Sequence, residues 1–195
     1  MNVYISFLIG FVFLNAQATS LPKNAPISVL SSIKTVDIEY ISEIATFDPT
    51  WVDSLSLSLP CYGIPVPKRT MRLPNAPRNY RNGTHRGLDF FANWGTPVRS
   101  VADGIVVRSD LHYEEVPADF RENLLKATTK VGYTPSDIFN SVLLGKSVFL
   151  DHGFDLIPGF RTISIYAHLS HIEKEIVPGA VVKRGELLGE SGNTG

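Results

Sequence analysis

The chain has 195 residues, room for one domain and a leader, and 44% of them are hydrophobic, enough for a packed core. Its 18 Lys and Arg against 19 Asp and Glu give a formal net charge of −1. That balance lacks the basic stripe of a nucleic-acid binder, so no nucleic-acid partner is expected, and it gives no attraction to an anionic membrane surface.

Val3 to Leu14 is an almost wholly apolar run, followed by Ala16-Gln17-Ala18, a small-x-small cleavage pattern. The run is shorter than the roughly 18–20 residues a bilayer-crossing helix needs. Residues 1–18 therefore read as a secretory signal peptide cleaved before Thr19, although no Lys or Arg precedes the run; a short anchor or a buried strand is the alternative. No stable membrane span is expected after cleavage, and the location expected is secreted, or periplasmic and cell-envelope. Residues 19–60 carry no sharp motif and read as a linker or N-terminal extension. Cys61 is the only cysteine, so no intrachain disulfide can form, and it is expected to be a small buried hydrophobe. Prolines at 65, 67, 74 and 77 remove backbone donors and predict extended, irregular chain up to Arg78.

Strand signals begin at Gly87, with Leu88 to Phe91 mostly apolar. Gly95 to Val101 and Ile105 to Arg108 flank Ala102-Asp103-Gly104, which predicts a β-hairpin about the Asp-Gly pair. Residues 114–146 then read as a helical insertion. Phe120, Leu124, Leu125 and Ala127 recur at roughly helical spacing. Thr134-Pro135 looks like an N-cap with Pro at the first helical position, and Gly145 like a stop. Strands resume at Ser147–Asp151 and Thr162–His168. The tail, Val177 to Gly189, weakly repeats the pattern of Gly95 to Val107. Short strands with regular Gly punctuation predict a mainly β fold, a compact antiparallel β sandwich or barrel-sandwich hybrid carrying a helical insertion.

Of the five histidines, at 85, 112, 152, 168 and 171, two stand in suggestive settings. His85 and Asp89 offer a nitrogen and an oxygen donor suited to zinc. On a flat strand they would lie roughly 13 Å apart, too far for one ion, so the chain must bend between them, and Gly87 permits a bend. By itself the pair fits an exposed loop histidine beside a turn aspartate better than a metal site. His168, in Ile165-Tyr166-Ala167-His168, would share a strand face with Tyr166; that face could line a groove or simply hold a surface histidine.

Three stretches together resemble the lysostaphin/LytM zinc metallopeptidases: His85-Arg86-Gly87-Leu88-Asp89-Phe90; Gly95-Thr96-Pro97-Val98 through Ala102-Asp103-Gly104; and Tyr166-Ala167-His168-Leu169-Ser170, running on to Val182-Lys183-Arg184-Gly185-Glu186-Leu187-Leu188-Gly189 and Ser191-Gly192-Asn193-Thr194-Gly195. The resemblance spans about Tyr62 to Gly195, so residues 61–195 are expected to be the metallopeptidase domain. It implies His85 and Asp89 as zinc ligands, His168 as a catalytic histidine that is not a ligand, and a structural His152. It implies Zn2+ as cofactor and a peptidoglycan peptide as substrate. It also implies a His-x-His strand just after the Gly-x-Thr-Gly turn, supplying a general base and the third ligand. The sequence stops at Gly195 inside that turn, so the domain is expected to be incomplete at its C-terminus and the natural chain to continue. Two rivals stand beside this reading. One is a non-catalytic LytM-like module that regulates other wall hydrolases. The other is a lipoyl- or biotinyl-like carrier, disfavoured because the tip at Ala102-Asp103-Gly104 has no lysine to modify.

Overall fold

A computed structural model describes the backbone of Ile5–Leu8 and residues 48–157 and 159–195. Apart from β1, the predicted signal peptide and most of the linker lie outside the described residues. Eleven strands are described: β1 (Ile5–Leu8), β2 (Pro77–Arg78), β3 (Gly83–Thr84), β4 (Leu88–Phe90), β5 (Pro97–Arg99), β6 (Gly104–Ser109), β7 (Val148–Asp151), β8 (Ile163–Tyr166), β9 (Leu169–Ile172), β10 (Val181–Val182) and β11 (Leu187–Ser191). They form a six-stranded sheet in the order β10-β6-β7-β8-β1-β4, a three-stranded sheet β5-β11-β9 and the β2-β3 pair. Every described pairing is antiparallel, and the fold is mainly β as expected.

Alternation along the strands builds the core. Val148 and Leu150 of β7 and Tyr166 of β8 turn inward and join Val98, Val106, Leu169, Val182 and Leu188 between the sheets. Phe149, Ile163 and Ile165, one residue out of phase, face the opposite side and meet Phe139, Leu143 and Leu144 from the insertion. The insertion thus covers the outer face of β7 and β8, each fully buried side chain contributing about 1.5–3 kcal/mol. Cys61 is buried in the main core, as expected, and burial pushes its thiol up to about 11. The chain already docks before Cys61: Leu57 packs on the core and Ser58 N–H donates to the Val101 carbonyl at 2.9 Å.

The predicted hairpin about Asp103-Gly104 does not form. β5 pairs with β11, whereas β6 pairs with β7 and β10. The chain crosses there from one sheet to the other. Asp103 closes no tight turn; its carboxylate takes the Lys183 ammonium at 2.9 Å and the Arg184 N–H at 2.8 Å. Gly104 serves close approach rather than a positive φ, since a Cβ there would sit 2.9 Å from both the Asp151 carbonyl oxygen and His152 Nδ1. The tail, similar in sequence, makes the reverse crossing from β10 to β11 and pairs with the first at both ends.

The insertion comprises α1 (Ala118–Val131), α2 (Ser136–Ile138) and a π turn over Phe139–Leu143. Two local expectations are corrected. The inward stripe of α1 is half-buried Arg121, Leu124 and Leu125 with buried Thr128, at i, i+3, i+4 and i+7; Phe120 points outward and is 53% exposed. The stripe is set by the Asn79–Arg81 turn beneath it, where Thr128 Oγ1 meets the Arg81 carbonyl at 3.4 Å. Thr134 does not cap α2; its hydroxyl donates to the same carbonyl at 2.8 Å. Gly145 does end the segment, at φ 61°.

His152 ties the sheet crossing to β8. Its Nδ1 lies 2.6 Å from the Asp103 carbonyl oxygen and its Nε2 2.8 Å from Ser164 Oγ. Burial lowers its pKa, against an opposing pull from Asp103. The unfolded chain then binds more protons near and below pH ~6.5, so this contribution to stability is full above that pH and is lost as pH falls toward the folded value. The melting temperature should fall from pH 7.5 to 5.5, and less steeply in His152→Gln. Parallel slopes for the two proteins would refute the assignment.

Candidate metal and catalytic site

His85 leaves the β2-β3 pair in a position fixed by its own backbone. Its N–H donates to the Ala76 carbonyl and its carbonyl accepts from Asn75 N–H, both at 2.7 Å. Asn82, left-handed at φ 47°, turns the chain ahead of it, and buried Gly87 bends it afterwards. The bend removes the strand-length separation: His85 Nε2 lies 2.9 Å from Asp89 Oδ1, both side chains being nearly buried. The other carboxylate oxygen takes the Arg78 guanidinium at 3.0 Å, which holds the orientation of Asp89.

The tautomer of His85 gives this contact meaning. Nδ1 lies 2.9 Å from the Leu73 carbonyl, which can only accept, so Nδ1 carries the proton. With the proton on Nδ1, Nε2 is left with a lone pair beside a carboxylate oxygen. The 2.9 Å separation qualifies as an ion-pair distance, yet Nε2 is buried and makes no hydrogen bond. We read the distance as convergence rather than bonding, because the alignment is missing. Two acceptors this close need a proton or a metal cation between them, and a nitrogen beside a carboxylate oxygen is a fitting pair of zinc donors. Among the described residues no group of three or more His, Cys, Asp and Glu side chains gathers to hold a metal.

His168 follows β8 at a left-handed kink, φ 59°, that ends one strand before β9 begins. The kink overturns the expected shared face. Tyr166 is fully buried, its hydroxyl accepting the Val101 N–H at 2.9 Å, and Ala167 lines the groove with His168 instead. His168 N–H donates to the Leu144 carbonyl at 2.9 Å, and Nδ1 sits 2.6 Å from the Thr194 carbonyl oxygen. Thr194 is itself tied down, accepting Lys146 N–H at 2.9 Å and donating to the Leu169 carbonyl at 3.0 Å. Burial lowers the His168 pKa most, the Thr194 carbonyl and Asp89 oppose this, and Arg121 and His85 add to it. The neutral ring, with Nδ1–H on Thr194, leaves Nε2 as an acceptor.

His85 and His168 line one cavity of about 70 Å³, together with Tyr80, Arg81, Arg121 and Phe139. His112 and His171 are exposed elsewhere. Sequence reasoning missed Arg121. A basic residue at the stripe spacing of α1 was the available signal, but only the docking of that helix turns it toward the histidines.

The family model for peptidase family M23 matches residues 83–195, more than half of the chain, from just before His85 onward. The chain belongs to peptidase family M23. No curated protein matches it. A crystal structure of a provisionally named peptidase M23 from Pseudomonas aeruginosa is similar over 72% of this chain at 27% identity, with a TM-score of 0.38. The chain spans 40% of the length of that structure. M23 members are in general zinc metallopeptidases acting on peptidoglycan peptides. The M23 match contains His85, Asp89 and His168, and also the insertion that brings Arg121 to them. Among the described residues no helix is long and apolar enough to cross a membrane.

Proposed function

We propose that this M23 domain is a zinc-dependent endopeptidase that hydrolyses peptide bonds of cell-wall peptidoglycan. The observation that carries the reading is the convergence of His85 Nε2 and Asp89 Oδ1, buried and 2.9 Å apart, beside the His168 cavity. His85 through Nε2 and Asp89 through Oδ1 would supply two zinc ligands; a catalytic site takes three protein ligands and a water. Bound zinc would lower the pKa of its water toward neutrality and polarise the scissile carbonyl. The chain's own residues do the rest. The Leu73 carbonyl fixes the His85 tautomer, and Arg78 holds Asp89. His168 stands beside that pair, where a proton on Nε2 would let it donate a hydrogen bond to the developing oxyanion, while the expected His-x-His strand would supply the general base. Phe139, Leu143 and Leu144 form the apolar side of the cavity and limit water there.

The proposal includes export: residues 1–18 as a cleaved signal, 19–60 as a linker, and a secreted or cell-envelope location. Cleavage before Thr19 would remove β1 from between β4 and β8 and open the two edges it pairs with. The test uses protein recovered from the medium or envelope of expressing cells, where mass spectrometry should find Thr19 at the N-terminus. Elemental analysis should find one zinc per chain, lost in His85→Ala and Asp89→Ala together with release of peptides from purified sacculi. A second reading is kept as the alternative outcome of this test. It is a non-catalytic module that binds wall peptide and regulates other hydrolases. Protein that binds sacculi, carries no zinc and releases no peptide would replace the first reading with the second.

A further inference from the structure

The cavity is more basic than the molecule. The whole chain has a formal net charge of −1, yet Arg78, Arg81 and Arg121 line the pocket and no carboxylate does. A wider depression, which Arg78 and Asp89 also line, adds Arg69 and Arg72. Such concentration of one sign in a recess raises the local concentration of an oppositely charged ligand.

Most of these arginines have structural work. Arg78 bonds the Met71 carbonyl and Asp89, both at 3.0 Å. Arg81 bonds the Thr84 carbonyl and Thr134 and lies over the Phe139 ring at 5.2 Å. Arg121 is different. Its Nε is buried without a hydrogen-bond partner, and among the described residues no carboxylate pairs with its guanidinium. It stands half-buried on the inward stripe of α1, close enough to His168 to disfavour the charged form of that ring. Leaving a buried guanidinium N–H unpaired costs free energy that an incoming acceptor recovers. The fork of a guanidinium matches a carboxylate with two parallel bonds.

We propose that Arg121, delivered by the helical insertion, is a specificity-determining residue that binds a free carboxylate of the peptide substrate beside its scissile bond. This rests on the peptidase reading and names the substrate class for that site: an anionic peptide rather than a neutral one. The insertion is then the wall of the site that selects the substrate, with Arg121 as its reading head and Phe139 as its apolar neighbour.

The test compares a stem pentapeptide bearing its free carboxylates with the same pentapeptide fully amidated, by calorimetric titration and by hydrolysis, using the full chain. The wild-type protein should bind the carboxylate form about ten- to a hundredfold more tightly, the range for a charge-assisted hydrogen bond. Arg121→Gln should abolish the preference by weakening the carboxylate form alone, and Arg121→Lys should restore part of it. Circular dichroism confirms that the variants fold. Equal binding of both peptides by the wild type, or equal weakening of both by Arg121→Gln, overturns the proposal. The two readings fail separately. Cleavage of both peptides at one rate with no preference in binding removes the carboxylate site and leaves the peptidase. A carboxylate preference in binding with cleavage of neither removes the peptidase and leaves the site. Neither binding nor cleavage removes both.

Discussion

Replacing His168 by Asn should lower the turnover of peptide release from sacculi by about two to three orders of magnitude, the usual contribution of a donor to a developing oxyanion. Its melting temperature should stay within a few degrees of the wild type. Asn suits the experiment better than Ala because position 168 is left-handed, φ 59°, a conformation Asn adopts readily. The substitution gives up the 2.6 Å contact between Nδ1 and the Thr194 carbonyl, a loss of about 1 kcal/mol for a partly exposed bond. It leaves the His168 N–H on Leu144 and the core between the sheets untouched. Zinc content should not change, because His168 is proposed to act beside the metal and not on it. Turnover within tenfold of the wild type, with zinc retained, would remove His168 from the chemistry. Loss of zinc along with turnover would make it a ligand instead.

Gly145→Ala should destabilise the domain by about 2–5 kcal/mol and depress turnover as well, from a position outside the cavity lining. Two costs combine. At φ 61° any side chain strains the backbone by about 1–2 kcal/mol. The added Cβ would also run into the Thr194 carbonyl group and hydroxyl, an overpacking cost of about 1–3 kcal/mol. Thr194 is the residue whose carbonyl holds His168 Nδ1, so displacing it disturbs the ring that the proposal needs in place. Gly153→Ala is the matched control: φ is 62°, but nothing lies within 4 Å of the new Cβ, so only the backbone cost applies. Chemical denaturation measures the first effect and sacculus turnover the second. If the two glycine variants lose equal stability and both keep full activity, the coupling through Thr194 is wrong.

Much of the outline was legible in the chain. The strand runs, the buried cysteine and the glycine that ends the helical segment rest on short-range rules and fall close to their expected places, whereas the inward stripe of α1 starts at Arg121 and not at Phe120. The hairpin failed for an instructive reason. Asp103-Gly104 carries the residues of a tight turn, but Val98 and Val106 are both needed in the core between the sheets, and β5 and β6 find partners in β11 and β7 far along the chain. A turn signal cannot weigh those long-range pairings. The same blindness misplaced Tyr166, since strict strand alternation holds only until the kink at His168.

By itself the sequence determined which residues could do chemistry: an imidazole and a carboxylate four positions apart around a glycine, and a histidine at the end of a β-rich run. Side-chain chemistry belongs to the residue and needs no fold to be recognised. Distance belongs to the fold. Only the tertiary structure bent residues 85–89 until two donors met at 2.9 Å. Only the packing of α1 against the Asn79–Arg81 turn carried Arg121 into the same cavity as His85 and His168. Those approaches depend on backbone hydrogen bonds and core contacts between segments remote in the chain, which no local pattern encodes.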